Sequence, residues 1–178
     1  MKSKVILLAG AGGSGKSTIA ELISREHGYE LLDGDHEDSE FFPYGGQWLP
    51  QNLKSLQKAH RKILSKTKLL VSSGKSVVVD YVIFGDYISY FKIFEDTFRD
   101  DLKIVILYPS NSENIKRDFA RSNWTTGPVR IAAVRSELYK IRNKIGVEKF
   151  LDTSNESPEE TIIKYFQFFW GGGNVMFL

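Results

Sequence analysis

The feature that most constrains this chain is the segment GAGGSGKS at residues 10–17, which separates an apolar run from an amphipathic one. It matches the pattern G-x-x-x-x-G-K-[ST]. Val5–Ala9 before it is predicted as a buried strand, and Ser17–His27 after it as a helix. Glycines let a backbone turn tightly enough to aim successive N–H groups at phosphate oxygens, and a helix N-terminus adds positive potential. We therefore predict a phosphate-binding loop.

Two side chains of this loop have separate predicted roles. Lys16 is expected to reach the outer phosphates of a nucleotide, and the Ser17 hydroxyl is expected to coordinate Mg²⁺. A glycine-rich turn that binds nothing would need neither the lysine nor the serine that follows it. The residues predicted to bind ATP are Gly10, Ala11, Gly12, Gly13, Ser14, Gly15, Lys16, Ser17 and Thr18.

Strand and helix patterns alternate along the rest of the chain. Apolar strands are predicted at Tyr29–Leu32, Val77–Asp80, Ile104–Tyr108 and, more weakly, Lys149–Leu151. Helices are predicted at Leu53–Ser72, Tyr87–Phe98, Glu113–Arg121, Ile131–Lys144 and Pro158–Trp170, the last with Ser157 as its cap. Continuous apolar strands between helices are typical of a parallel sheet covered on both faces. We predict one α/β domain over residues 1–178, with three layers and a five-stranded parallel sheet.

Composition excludes several classes of protein. The chain has no cysteine, so disulfides, thiolate metal sites and cysteine nucleophiles are ruled out. Its 24 basic and 22 acidic residues give a net charge of +2, which predicts neither a nucleic-acid nor a membrane partner. No run approaches the ~18 apolar residues that cross a bilayer. A cytoplasmic location is expected.

Carboxylates follow two of the predicted strands. Asp33 and Asp35 come after the second strand, and Asp80 ends the third. Residues i and i+2 of an extended segment point the same way, so Asp33 and Asp35 are expected to face the phosphate loop together. In phosphoryl transfer one carboxylate helps to hold hydrated Mg²⁺ and another accepts the proton of the attacking hydroxyl. Asp33 and Asp80 are the predicted metal-site carboxylates, although Asp80 also suits substrate contact. An acidic turn and a solvated strand end are the alternatives.

The order of these motifs resembles the small-molecule kinases of the P-loop superfamily, which include shikimate, gluconate and adenylylsulfate kinases. The shared features are the phosphate loop, a short second strand ending in aspartate, an apolar third strand, an arginine-bearing lid and a late DTS at 152–154. The chloramphenicol phosphotransferase-like branch is similar in further detail, matched here by Asp35 and by VVVDYVIFGD at 77–86. The resemblance implies a P-loop NTPase fold and makes Asp35 the candidate general base.

A lid is predicted over approximately residues 117–131. Arg117 and Arg121 lie four residues apart, so they share a helix face, and the polar stretch SNWTTGP follows them. A flap that closes over ATP excludes water and brings guanidinium groups to the transferring phosphoryl group. The family resemblance implies the same roles. Arg117 and Arg121 are therefore predicted as catalytic, and Arg117 also as nucleotide-binding; a solvated helix face is the alternative.

Residues 37–52 are predicted to bind the phosphate acceptor. They lie between Asp35 and the next helix, carry aromatic side chains that include Trp48, and match no substrate-binding segment of the family. A small core of the loop's own is the alternative. Arg130 and Arg135 are weaker candidates for contact with a phosphate or an anionic substrate.

The sequence thus predicts an ATP- and Mg²⁺-dependent phosphotransferase acting on a hydroxyl of a small metabolite or antibiotic. One alternative is a kinase of nucleotides or nucleic-acid 5′ ends, against which the balanced charge and the acids of residues 33–40 argue. Another is a regulatory ATP-binding module without transfer, against which Asp35 argues. The acceptor, the choice between ATP and GTP, the oligomeric state and the role of the apolar tail after Gly171–Gly173 are left open.

Overall fold

The computed structural model describes residues 3–83, 85–122, 125–166 and 169. Five strands are present in this part of the chain: β1 Val5–Ala9, β2 Glu30–Asp33, β3 Val77–Asp80, β4 Leu102–Leu107 and β5 Phe150–Leu151. The α-helices of the same part are α1 Lys16–His27, α2 Gly34–Asp38, α3 Leu53–Ser72, α4 Tyr87–Phe98, α5 Asn111–Phe119, α6 Pro128–Ile145 and α7 Pro158–Phe166. The predicted extension of the last helix to Trp170 and the apolar tail lie outside the described residues.

The strands form one parallel sheet in the order β2-β3-β1-β4-β5. All five residues of β1 are buried, because this strand lies at the centre of the sheet and is covered on both faces. Leu8 is in register with Asp80 of β3, and Asp33 of β2 is in register with the same residue. The predicted five-stranded parallel sheet is confirmed, and its carboxyl edge carries the two aspartates beside the phosphate loop.

Helices cover both faces of the sheet. Val5, Leu7 and Ala9 of β1 pack in a cluster with apolar side chains of α3, α4 and α6. Ile6 and Leu8 point the other way and pack with α1 and α7. This alternation follows from the two-residue period of a strand, and it produces the predicted three layers. In the described part of the chain, no helix has both the length and the apolar character to cross a membrane.

The segment after β2 differs from the prediction. β2 includes Asp33, and α2 begins at the next residue, so the expectation that Asp33 and Asp35 lie on one extended segment is wrong. Oδ1 of Asp33 accepts a hydrogen bond from the backbone N–H of His36 at 3.0 Å. An aspartate in this N-cap position stabilises a helix start by pairing an otherwise unsatisfied N–H group. The cap turns the chain and places Asp35 on a helix.

The connection between α5 and α6 is shorter than the segment predicted as a lid. α5 ends at Phe119 instead of Arg121, and α6 begins at Pro128 instead of Ile131. Proline suits the first turn of a helix because its missing N–H would be unpaired there in any case. The connection is therefore residues 120–127, of which 123 and 124 lie outside the described residues. Arg117 belongs to α5.

Candidate active site

The phosphate loop has a backbone that requires its glycines. Gly13 and Gly15 have φ values of 69° and 96°, a region that side-chain-bearing residues rarely adopt. A Cβ built on Gly15 would meet no atom within 4 Å, so this backbone faces open space. A Cβ on Gly13 would lie 2.9 Å from the backbone N of Asp118, so that glycine also lets α5 approach the loop.

Lys16, Ser17 and Asp80 meet at the carboxyl edge of the sheet. Lys16 is only 4% exposed, and its Nζ lies 3.5 Å from the carbonyl oxygen of Ala11. Ser17 Oγ donates a hydrogen bond to Asp80 Oδ2 at 2.6 Å. Oδ1 of Asp80 is buried and has no hydrogen-bond partner within the described residues. A hydroxyl and a carboxylate with an unused oxygen are suitable partners for Mg²⁺, so the donor set fits this ion.

The region provides few protein ligands for a metal. Considering only the described residues, no group of three or more His, Asp or Glu side chains is arranged to hold a metal ion. Mg²⁺ typically uses one or two carboxylates together with substrate phosphates and water. Asp33 is adjacent to Asp80 across the β2–β3 pair, but its Oδ1 is engaged in capping α2. Its predicted metal role stays a prediction.

A cavity of about 400 Å³ opens beside the phosphate loop. Oδ1 of Asp35 accepts a hydrogen bond from the backbone N–H of Val82 at 3.3 Å, which holds the carboxylate at this cavity. The lining residues are spread over positions 12 to 134 of the chain: Gly12, Lys16, Ser17, Asp35, Gln47, Trp48, Val82, Arg121, Thr125, Thr126, Arg130 and Val134. The candidate base and the phosphate loop therefore share one space.

The electrostatic surroundings of Asp35 favour a proton near neutral pH. Asp35 is exposed to solvent, but the protein atoms that surround its carboxylate reduce its hydration, and this loss raises its pKa to about 7. The nearby Lys16 ammonium acts in the opposite direction. The carboxylates of Asp80, Asp38 and Asp33 raise the pKa further, because a second negative charge is unfavourable close by. A carboxylate with a pKa near 7 exchanges protons readily at neutral pH.

A second cavity, of about 310 Å³, lies on the α7 side of the loop. Ser14, Thr18, Thr153 and Arg117 are among the residues that line it. Arg117 forms an ion pair with Glu113 at 2.9 Å and donates from Nη2 to the Thr153 carbonyl at 2.8 Å. The arginine thus joins α5 to the turn after β5, and its guanidinium is directed to that turn.

The connection between α5 and α6 is held against the phosphate loop. Asp118 is fully buried and accepts hydrogen bonds from the backbone N–H groups of Thr126 and Gly127, at 3.1 and 3.0 Å. Burial opposes ionisation, but these N–H groups lower the Asp118 pKa overall. Arg121 lies 3.7 Å from the same carboxylate and lines both cavities. Of the two predicted lid arginines, Arg121 is the one that reaches the cavity at Asp35.

The lining of the cavity at Asp35 includes residues of the 37–52 segment and of α6. Outside α2, this segment contains single 3₁₀ turns at Ser39–Phe41 and Pro50–Asn52. The guanidinium carbon of Arg130 lies 3.2 Å from the centroid of the Trp48 ring, a cation–π contact. Arg135, by contrast, donates a hydrogen bond from Nη1 to Asn114 Oδ1 at 2.6 Å and stacks on the Tyr108 ring, and neither Arg135 nor Tyr108 lines the cavity. Arg130 is therefore the stronger candidate for substrate contact.

Two buried polar residues of α5 were not predicted from the sequence to have a role at the site. Asn114 Nδ2 donates to the Gly12 carbonyl at 2.8 Å, and Asp118 holds the connection before α6. Both are fully buried, although the helix as a whole is polar. Asparagine and aspartate are usually exposed on a polar helix, and the residue type alone does not show which of them is buried. The sequence therefore did not indicate either residue.

Comparison with known proteins identifies the family. The AAA_33 profile, described as an AAA domain, matches residues 5–126, from β1 through the phosphate loop to the connection after α5. The chain belongs to this family. A comparison of this AAA domain with curated protein sequences finds no significant match. The family assignment therefore rests on the segment that contains the phosphate loop, Asp35 and α5.

Solved kinase structures share the fold of this AAA domain. Gluconokinase from Sinorhizobium meliloti 1021 has a TM-score of 0.60 at 18% identity, over 91% of this chain and 88% of that chain. Shikimate kinase from Acinetobacter baumannii in complex with shikimate has a TM-score of 0.61 at 20% identity, over 93% and 92%. Deoxyadenosine kinase from M. mycoides with bound dATP has a TM-score of 0.53 at 17% identity, over 90% of this chain and 96% of that chain. The P-loop kinase fold is confirmed.

Proposed function

We propose that this protein transfers the terminal phosphate of ATP to a hydroxyl of a small molecule. One observation carries the proposal: Lys16 and Ser17 of the phosphate loop line the same cavity as Asp35, Trp48 and Arg130. A phosphate donor on the loop and an acceptor beside Asp35 would meet in that space. Bringing two reactants together in one geometry supplies a large part of the catalysis in phosphoryl transfer.

The donor side is built for polyphosphate. The backbone N–H groups of Gly13 and Gly15, the N-terminus of α1 and the Lys16 ammonium supply positive potential where the phosphates would lie. Mg²⁺ bound with ATP would neutralise phosphate charge, and Ser17 and Asp80 are the residues that fit it. Arg121 lines the cavities on both sides of the loop, which suits a guanidinium that stabilises the charge of the moving phosphoryl group.

Asp35 is the proposed general base. As the acceptor oxygen bonds to phosphorus and the bond to the ADP oxygen breaks, the acceptor hydroxyl releases its proton to the Asp35 carboxylate. A pKa of about 7 suits this step, because a base is most effective when its pKa is close to the working pH. The hydrogen bond from the Val82 N–H orients one carboxylate oxygen, and the other is left to face the acceptor.

A small acceptor is supported by the size and the wall of the cavity. Its volume of about 400 Å³ is typical of a small-ligand pocket. Gln47 offers an amide, Trp48 an aromatic face and Arg130 a cation. These groups suit an organic alcohol with further polar atoms.

A screen of ADP release with replacement of Asp35 tests the proposal. The acceptors are hydroxyl-bearing metabolites, aminoglycosides, phenicols and nucleosides, each with ATP and Mg²⁺. With an acceptor that is turned over, Asp35→Asn is expected to lose at least about a hundredfold in kcat, because the amide cannot take the proton. ATP·Mg²⁺ affinity, measured by calorimetry, should stay near that of the wild type. Asp96→Asn is the matched control, since the Asp96 side chain is 62% exposed and pairs with Lys92 on the surface of α4.

Two outcomes point elsewhere, and a third narrows the acceptor. Near wild-type turnover by Asp35→Asn contradicts its role as base and makes Asp80 the next residue to test. Turnover of nucleosides alone agrees with the proposal and narrows the acceptor class to nucleosides. Tight ATP binding with no acceptor phosphorylated supports a regulatory ATP-binding module instead of a phosphotransferase.

A further inference from the structure

Helix α2, which carries Asp35, packs on a buried polar cluster that the proposed reaction does not use. Asp38, His60, Tyr81 and Tyr90 form this cluster, and each is at most 2% exposed. The Tyr81 and Tyr90 rings lie 5.5 Å apart, and the His60 ring lies 4.5 Å from that of Tyr90. A buried polar group is costly unless it is paired, so the pairing within this cluster is informative.

Tyr81 contacts α2 at two points. A Cβ built on Gly34 would lie 2.6 Å from ring carbons of Tyr81, so the start of α2 rests directly on the ring. The Tyr81 hydroxyl also donates to Asp38 Oδ2, at the end of α2, at 3.0 Å. The next residue, Val82, donates its backbone N–H to Asp35. Tyr81 and Val82 therefore contact the first, second and last residues of α2.

A helix of five residues depends on such contacts. Helices shorter than ~12 residues are marginal by themselves, so α2 is placed by what it packs against. Asp38 is a strong point of attachment because its carboxylate is buried. Burial raises its pKa to about 6, and the hydrogen bonds from Tyr81 and Gln47 act against this by stabilising the charged form. Without the Tyr81 hydroxyl, the carboxylate would lose a donor that solvent cannot replace.

We propose that Tyr81 and Asp38 are positioning residues, which fix α2 so that the Asp35 carboxylate faces the acceptor cavity. The proposal rests on the proposed function, because it takes Asp35 as the group that must be placed. Neither residue lines the cavity. They act through the helix that carries Asp35, and a displacement of about 1 Å in such a group lowers turnover by one to two decades.

Tyr81→Phe tests the proposal, with Tyr90→Phe as its matched control. Each change removes one hydroxyl from the same buried cluster, but the Tyr90 hydroxyl has no hydrogen-bond partner among the residues that the structure describes. Amide exchange by NMR in the nucleotide-free protein reports on the Val82 N–H that holds Asp35. We expect Tyr81→Phe to speed exchange at Val82 about tenfold and Tyr90→Phe to leave it unchanged. Exchange at Leu7 in β1 reports global opening and should be equal in both.

Equal exchange at Val82 in wild type and Tyr81→Phe overturns the proposal, as does an equal effect of both variants. Amide exchange needs no acceptor. It therefore tests how Asp35 is held in place independently of whether the transfer reaction is found or disproved.

Kinetics separate positioning from a general loss of stability. With an acceptor from the screen, Tyr81→Phe is expected to lower kcat about tenfold with the KM for ATP unchanged. Asp38→Asn keeps a carbonyl oxygen that accepts from the Tyr81 hydroxyl, so it should retain more turnover than Tyr81→Phe. A variant that melts earlier but turns over at the wild-type rate while folded shows a merely structural role and overturns the proposal.

Discussion

Gly12→Ala tests whether the connection between α5 and α6 closes on the phosphate loop. Gly12 is not among the glycines with positive φ, so alanine imposes no backbone strain there. A Cβ at this position would lie 2.7 Å from Cβ and 3.0 Å from Cγ2 of Thr126. Carbon atoms prefer separations of about 3.5–4.0 Å, so Thr126 must move away by about 1 Å.

That movement acts on two charge-assisted hydrogen bonds. The N–H groups of Thr126 and Gly127 donate to the buried Asp118 carboxylate, and each such bond contributes about 1.5–3 kcal/mol. Loss of one such bond shifts the equilibrium between the state in which the α5–α6 connection contacts the phosphate loop and the state in which it does not. The shift is at least about tenfold, since ~1.4 kcal/mol corresponds to a factor of ten in an equilibrium constant. We therefore expect Gly12→Ala to release Thr126 and Gly127 from Asp118 while the sheet stays intact.

Amide exchange at Gly127 measures this opening. We expect exchange at least about tenfold faster in Gly12→Ala. In a Thr126→Gly background the obstructing side chain is gone, so Gly12→Ala should have little further effect. Unchanged protection of Gly127 in Gly12→Ala, or the same increase with and without the Thr126 side chain, would refute the reasoning.

Two other predictions concern the reaction. The surroundings of Asp35 raise its pKa to about 7, and a protonated base is inactive. The kcat/KM for an acceptor should therefore rise about tenfold per pH unit below pH 7 and level off above it. A flat pH profile of kcat/KM from about pH 5.5 to 8 contradicts this prediction. Because Arg117 holds the Thr153 turn whereas Arg121 reaches both cavities, Arg117→Ala should mainly weaken ATP binding in calorimetry, and Arg121→Ala should mainly lower kcat. If Arg117→Ala mainly lowers kcat and Arg121→Ala mainly weakens ATP binding, the roles assigned to the two arginines are reversed.

The phosphate loop was predictable because its requirements are local. The glycine conformations, the Lys16 side chain and the start of α1 belong to contiguous residues, so their pattern in the sequence is already the pattern in space. The strands were predictable for a related reason, since burial on both faces leaves a continuous apolar run. The start of α7 follows the same rule: Ser157 Oγ accepts from the Glu160 N–H at 3.1 Å, as the predicted cap requires.

The surroundings of Asp35 were only partly predictable. The sequence indicated an acid after β2, but alternation on an extended segment was the wrong geometry, because the Asp33 cap starts a helix one residue later. The position of this short helix depends on Tyr81, whose role has no local signature. A tyrosine after β3 is apolar enough to be read as core, and only its distance from Asp38 shows that it also donates a hydrogen bond.

By itself the sequence determined the class of fold and the phosphate loop, because strands, helix starts and a phosphate loop are set by short-range periodicity and backbone conformation. Only the tertiary structure decided which residues line the cavity beside that loop. Trp48 and Arg130 are far apart in the chain and meet because α3, α4 and α6 pack on one face of the sheet. Such contacts depend on how whole elements pack together, and no local pattern of residue types records that packing.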